Sequence, residues 1–457
     1  MGGIKVNIFW FRRDLRTEDN KGLFFSLSTG ACQALPLFIF DSDILEQLTS
    51  RTDKRVDFII QSLKNIEQQL GGNLLCAYGK PENIFEHLCN TYNIGAVYCN
   101  EDYEPYAVNR DSTVRDLLTK KGIRFIDFKD QVIFSKKDIL KPDKTPYTVF
   151  TPYSARWKSK FEEDPTFFTT NFASCSLIKN IVNPVQYPVF PEPHPKVKFF
   201  SKVPSHEQIG FLSAGFSATP FPHINPESLI NYGKTRDYPH IAGGTSRLGM
   251  YIRFGVVSIR RLVTIAHDSS PEWLNELIWR EFFQSIIYHF PYSADNPFKQ
   301  KYSAIRWRNN SEEIEKWCLG KTGYPIVDAG MRELNETGYM HNRVRMITAS
   351  FFTKHLLADW RIGEAWFASK LLDYDLAANV GNWQWAAGCG CDAAPYFRIF
   401  NPAEQARKFD VANKYIYRWV PELKNGGDNI SYPEPIVDHK FARERALQVY
   451  RDSLNEI

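Results

Sequence analysis

The chain has 457 residues, 43% of them hydrophobic and 24% charged, with a formal net charge of +4. That much apolar sequence exceeds a single core, so two or three domains are expected. The net charge is too small to establish a polyanion partner, so any nucleic-acid reading must rest on local arginine placement.

The eight cysteines (32, 76, 89, 99, 175, 318, 389, 391) show no paired CxxC spacing. This argues against a zinc site and for a reduced, intracellular chain. The N-terminal "MGGIKVNIFWFRRDLR" is interrupted by arginines too early for a signal h-region, and no other stretch reaches membrane-spanning length. A cytoplasmic protein without a membrane partner is expected.

In chain order, "KVNIFWF", "ALPLFIF", "NLLCAYG", "GAVYCN" and "RFIDF" read as five short strands. Amphipathic stretches such as "RVDFIIQSLKNIEQQLGG" and "VRDLLTKKG" lie between them, long enough for crossover helices. The alternation predicts a Rossmann-like α/β domain over residues 1–131, with a doubly wound, parallel five-stranded sheet. No GxGxxG follows the first strand and no Walker A motif occurs, which argues against nicotinamide and nucleoside-triphosphate chemistry. Residues 132–204 read as a linker, because "NPVQYPVFPEPHPKVKFF" has too many prolines for a helix or a central strand. From 205 to 457 the period becomes helical and tryptophan dense, predicting an all-α C-terminal domain.

Within that domain, "YGKTRDYPHIAGGTSRLGMYIRFG" places Thr245 and Ser246 before an apolar run, where they suit a helix N-cap whose free amides also cradle phosphate. In "WLNELIWREFFQSIIYHF", Trp273, Glu276, Trp279, Arg280 and Phe283 share one side of a helix. Glu276 is either the partner of Arg280 in a core helix or a desolvated acid in an aromatic pocket. "GYMHNRVRMITASFF" puts Asn342 and Met346 on one helical face, a lining for a flat organic ligand, while Arg343 points elsewhere. His341 reads as a structural histidine. Asp373 and Asp375 make a poor metal site and read as partners for Arg345 or for ligand hydroxyls, so no metal is expected. The Asn379 amide both donates and accepts, which suits a ring nitrogen in more than one protonation state.

These motifs occur in one order with one spacing. "WFRRDLRTEDN", "GTSRL", "WLNELIWREF", "KTGYPIVDAGMRELNETGYMHNRVRMITASF", "LLDYDLAAN" and "WQWAAGCGCDAAPYFRIFNP" together resemble the photolyase/cryptochrome family, and within it the class I cyclobutane pyrimidine dimer photolyases, over essentially the whole chain. The resemblance implies an FAD in the helical domain and ultraviolet-damaged DNA as the partner, bound without regard to sequence by a monomer. Light-driven electron donation would split a pyrimidine dimer flipped out of the duplex, a lyase reaction with no net redox change.

Carried over residue by residue, Tyr232, Thr245, Ser246, Arg247, Leu248, Trp273, Arg280, Asn342, Arg345, Asp373, Asp375 and Asn379 match flavin contacts, with Asn379 at N5. Glu276 and Asn342 match contacts to the lesion, Trp279 and Trp385 its aromatic sandwich, and Met346 the cavity wall. Trp383, Trp360 and Trp307 match an electron-hopping chain. Arg236, Arg343 and Arg398 match phosphate contacts, joined by Lys408 as a weaker one.

The sequence also departs from the family pattern. Gly249 and Met250 follow "SRL" where the family usually has Ser-Pro, and "GCGCD" replaces the commoner "STGTD". Cys389 and Cys391 then read as small apolar fillers. Tyr106 and Ala107 replace the Asn-Glu pair of folate-type antennas, so Asp102 and Glu104 suggest a deazaflavin-type second chromophore, with a flavin or an empty site as the alternatives. The rival functions are a cryptochrome photoreceptor, a (6-4) photolyase and a plain flavoprotein oxidoreductase. The set Glu276, Trp279, Met346 and Trp385 favours dimer repair over all three, and the short segment after the helical region leaves no signalling tail.

Overall fold

The computed structural model describes residues 5–29, 32–182, 197–219, 222, 224, 226–424 and 432–455. The chain forms two compact units, one of Met1–Asp138, Ser159–His223 and Leu248–Ile265, the other of Ile139–Lys158, Ile224–Arg247 and Ala266–Ile457. The units therefore interleave in sequence, whereas the expected domains 1–131, 132–204 and 205–457 follow one another as blocks.

In the first unit all five expected strands form: β1 Lys5–Phe11, β2 Gln33–Asp41, β3 Leu75–Gly79, β4 Asn93–Asn100 and β5 Arg124–Phe128. They pair in parallel in the order β5-β4-β1-β2-β3. Phe9 and Phe11 point into one apolar layer with Leu23 and Ile60. Val6, Ile8 and Trp10 point into the opposite layer with Phe85 and Leu88. Both faces of β1 are thus buried, as a sheet with helices on each side requires. The helix Lys54–Gln69 starts where Asp53 accepts from the Arg55 N–H at 2.8 Å.

Two features correct the sequence reading of the linker. A sixth strand, β6 Val197–Phe200, runs antiparallel along β3 at the sheet edge, so the sheet has six strands rather than five. Its residues follow the last proline of the proline-rich stretch and are free to donate to the ladder; residues 183–196 of that stretch lie outside the described residues. A helix, Phe150–Phe161, also forms where no regular element was expected. Phe150, Tyr153 and Trp157 share one helical face, and Trp157 donates its indole N–H to buried Glu281 at 2.7 Å.

The second unit is a helical body around Trp317, Met331, Phe351, Phe352, Trp360, Phe367 and Trp383. Four of its helices concern the site: Pro271–His289, Asn342–Ser350, Trp360–Lys370 and Leu376–Ala387. Their starts are written locally. Ser270 accepts from Trp273 N at 3.3 Å ahead of Pro271, Asp359 from Arg361 N at 3.0 Å, and Asp375 from Ala378 N at 3.1 Å. Among the described residues, no helix is long and apolar enough to cross a membrane.

Gly255 of the first unit holds φ at +63°, and a Cβ there would collide with the Arg13 carbonyl. Its own carbonyl accepts from Arg16 at 3.0 Å. Gly255→Ala is expected to destabilise this unit by about 2–3 kcal/mol in denaturant unfolding, through left-handed strain added to a backbone clash. An unchanged midpoint would contradict that account.

Candidate functional site

A cleft of about 580 Å³ opens in the helical unit, lined among others by Asn342, Arg345, Met346, Asp373, Asp375, Asn379, Trp383 and Trp385. Eight of the residues singled out in the sequence are thereby brought together from three separate stretches of chain.

Two hydrogen-bonded pairs fix its polar wall. Arg345 donates to both carboxylate oxygens of Asp373, at 2.9 and 3.1 Å, and through Nε to the Met340 carbonyl at 2.7 Å. The guanidinium is therefore held in one orientation. Asn379 donates through Nδ2 to the Glu364 carboxylate at 2.8 Å and to the Glu364 carbonyl at 3.1 Å. With its N–H group used on Glu364, Asn379 has Oδ1 to offer as an acceptor toward the cleft. Burial raises the Glu364 carboxyl pKa, opposed by the hydrogen bonds from Asn379 and Tyr374.

Trp383 forms the apolar wall, 2% exposed and packed edge-on against Phe367 at 5.0 Å, Phe352 at 5.7 Å and Trp317 at 6.1 Å. Its Nε1 has no hydrogen-bond partner among the described residues. Trp360 is 1% exposed, and half-buried Trp307 packs edge-on against Tyr450 at 6.1 Å.

Outside the residues that line the cleft, Trp273 is buried, and Trp279 stacks flat on Phe150 at 3.6 Å with 5° between the rings. Glu276 pairs with Arg236. Burial raises the Glu276 pKa, and the Arg236 charge opposes the rise. Arg343 donates to Asp237 at 2.6 Å and lies 4.2 Å over the Phe409 ring. Arg398 and Lys408 are exposed beside Phe400 and Phe409. Tyr232 lies under the Arg236 guanidinium at 5.4 Å.

The expected N-cap at Thr245 and Ser246 does not form. The next helix, Gly249–Arg253, begins after Leu248 with no side-chain cap, because Arg247 turns left-handed at φ +50°. Thr245 instead meets the Tyr339 hydroxyl at 3.4 Å, and Arg247 lies 4.6 Å over the Tyr339 ring. Leu248 is buried in the first unit. In that unit Arg13 pairs with Asp102 at 3.3 Å and with Glu104 at 2.7 Å, and Arg253 also pairs with Glu104 at 3.0 Å. Cys389 is buried, and burial pushes its thiol and that of Cys391 up to about 12, which removes them from thiolate chemistry. Among the described residues no cluster of His, Cys, Asp and Glu is fit to hold a metal.

A family model described as the FAD binding domain of DNA photolyase matches residues 273–430, and one described as DNA photolyase matches residues 7–170. The deoxyribodipyrimidine photo-lyase of Synechococcus sp. is 37% identical, over 97% of this chain and 96% of its own length. The chain belongs to the DNA photolyase family. Among solved structures, the class III photolyase of Agrobacterium tumefaciens superposes with a TM-score of 0.79 at 29% identity, covering 99% of this chain and 98% of that one. The archaeal photolyase of Sulfolobus tokodaii, solved with two FAD molecules, gives 0.77 at 31% identity, covering 98% and 100%.

The photolyase cleft also depends on residues the sequence did not single out. Glu364 orients Asn379, Tyr339 meets Thr245 and lies between Arg247 and Arg345, and Phe150 backs Trp279. Only Phe150 had a readable signal, the aromatic spacing of its helix.

His341 starts the Asn342–Ser350 helix by accepting from Arg343 N at 3.2 Å, and burial with the nearby Arg345 charge pushes its pKa from 6.5 down to about 4. A histidine held neutral in the fold binds its proton mainly when unfolded. The helical unit should therefore lose stability as pH falls from about 6.5 toward 4. His341→Asn, which retains a cap and cannot titrate, should flatten that slope in pH-dependent thermal melts. An undiminished slope would show that His341 does not cause it.

Proposed function

We propose that the protein is a light-driven DNA repair enzyme that splits cyclobutane pyrimidine dimers, using FAD held in the cleft of the helical unit. The observation that carries this reading is that cleft itself, where an oriented guanidinium, an acceptor-presenting asparagine amide and a buried indole with an orphaned N–H converge. A flat, hydrogen-bonding ring system with a polar tail fits this donor set. In its reduced form, FAD bound there would lend an electron to the dimer under blue light and regain it once the ring has split. The chain's own task is to bind, orient and shield.

In this reading Arg345, Asp373, Asp375 and Asn342 hold the polar parts of the cofactor, with Tyr232, Thr245, Ser246, Arg247, Leu248, Trp273 and Arg280 as further contacts. Asn379, fixed by Glu364, accepts from a ring N–H without having to rotate, which keeps reorganisation small. Trp279, held rigid by Phe150, and Trp385 stack on a flipped-out pyrimidine pair, while Glu276 hydrogen-bonds it and Met346 fills the remaining space. Arg236, Arg343, Arg398 and Lys408 bind phosphates, which positions the duplex without reading its sequence. Among the described residues seven cysteines are unpaired, which supports a reducing, cytoplasmic setting.

A second, light-harvesting chromophore of flat tricyclic type, deazaflavin or flavin, is proposed for the α/β unit, outside the carboxyl ends of β1 and β4 where the strand order reverses. Asp102 and Glu104 are already bonded to Arg13 and Arg253 there, so their role is to shape that crevice rather than to offer free carboxylates.

The test is blue-light treatment of ultraviolet-irradiated oligothymidine with the reduced protein, following recovery of thymine absorbance. Recovery that needs both light and protein is expected, and its absence with full flavin bands would favour a photoreceptor. Trp383→Phe should block photoreduction of the oxidised protein while sparing repair by chemically reduced protein. Unchanged photoreduction would remove Trp383 from the electron path.

A further inference from the structure

Two of the proposed phosphate-binding arginines are paired within the protein. Arg236 bonds Glu276, and Arg343 bonds Asp237, the residue next to Arg236 in sequence. Both pairs are partly open to solvent, with side-chain exposures of 29% and 30% for Arg236 and Glu276, and 18% and 39% for Arg343 and Asp237. Partly exposed ion pairs are individually weak, whereas a DNA phosphate offers a charge-assisted, forked contact and releases counterions. A guanidinium bonds fully to one anion at a time, so the phosphate role of each arginine competes with its carboxylate.

From these contacts we infer that damaged DNA binds by partner exchange, in which Arg236 and Arg343 leave Glu276 and Asp237 for phosphates and the abandoned Glu276 takes up a proton. This deepens the repair reading and rests on it. The groups around Glu276 make the proton step physical. Arg236 is its bonded cation, Asp237 and the Tyr232 phenol face it from the neighbouring segment, and Glu272 and Arg280 stand one turn to either side on its own helix. Burial already raises the Glu276 pKa even with Arg236 in place, and removing that cation leaves the desolvation and the Asp237 charge unopposed. The balance is simple: Glu276 carboxylate plus a solvent proton gives the neutral acid, no bond to DNA forms or breaks covalently, and no electron moves. The neutral acid then donates its O–H to a pyrimidine carbonyl, which a carboxylate cannot do. Asp237 thereby becomes a positioning residue that holds Arg343 before DNA arrives.

The sign follows from linkage. A group whose pKa is higher in the complex strengthens binding as pH falls, and the gain is lost as pH rises through the pKa of the complex. Calorimetry of the flavin-loaded protein with dimer-containing duplex, in two buffers of different ionisation enthalpy, should register uptake of about one proton per complex. The dissociation constant should rise by up to roughly tenfold per pH unit as pH rises through the Glu276 pKa of the complex. Glu276→Gln should abolish the uptake and flatten the pH profile while DNA still binds. Asp237→Asn should bind damaged and undamaged duplex roughly threefold or more tighter by freeing Arg343, with a smaller proton uptake because the Asp237 charge no longer raises the Glu276 pKa. No uptake by the wild-type protein, or equal uptake by Glu276→Gln, would overturn the exchange, as would undiminished competition in Asp237→Asn. Failure to prefer damaged over undamaged duplex at any pH would instead sink the repair reading on which the inference stands.

Discussion

The working half of the molecule depends on one close approach between helices. The Trp360–Lys370 helix meets the Leu376–Ala387 helix at Gly363, where a Cβ would stand inside the Trp383 ring. Glycine is needed there for space, and the contact sets the register of everything beside it. One residue on, Glu364 reaches Asn379; one turn on, Phe367 packs edge-on against Trp383. The apolar wall and the oriented amide of the cleft are thus two consequences of a single helix contact.

The electrostatics follow the same economy of parts. Four of the charged or polar groups at the cleft and the proposed lesion surface already have partners: Arg345 has Asp373, Asn379 has Glu364, Glu276 has Arg236 and Arg343 has Asp237. These pairs differ in kind. Arg345 is clamped by a carboxylate and a backbone carbonyl, which suits a permanent contact to a resident cofactor. Arg236 and Arg343 are each tied to a single carboxylate without such a backbone clamp, a pairing that a phosphate can displace, which suits a partner that comes and goes.

Much of this was legible in the sequence, and each illegible part has its own physical cause. The five parallel strands were readable because each is a short apolar run bounded by turns, buried on both faces. β6 was not, since four residues after a proline-rich stretch carry no periodicity. Asn342, Arg345, Asp373 and Asn379 were readable from motif order, and the cleft gathers them. Glu364, Asp237 and Tyr339 were not, because each matters only through a partner distant in sequence. The cap expected at Thr245 and Ser246 failed for a local reason, the left-handed turn at Arg247, which moves the helix start past Leu248.

The measurement that bears most directly on this account is the flavin content of purified wild-type and Gly363→Val protein, with circular dichroism confirming that both remain folded. If the approach at Gly363 builds the cofactor seat, the wild-type chain carries stoichiometric FAD and the folded variant carries little, because the added side chain displaces Trp383. A folded Gly363→Val chain with a full complement of FAD would contradict it and place the cofactor elsewhere.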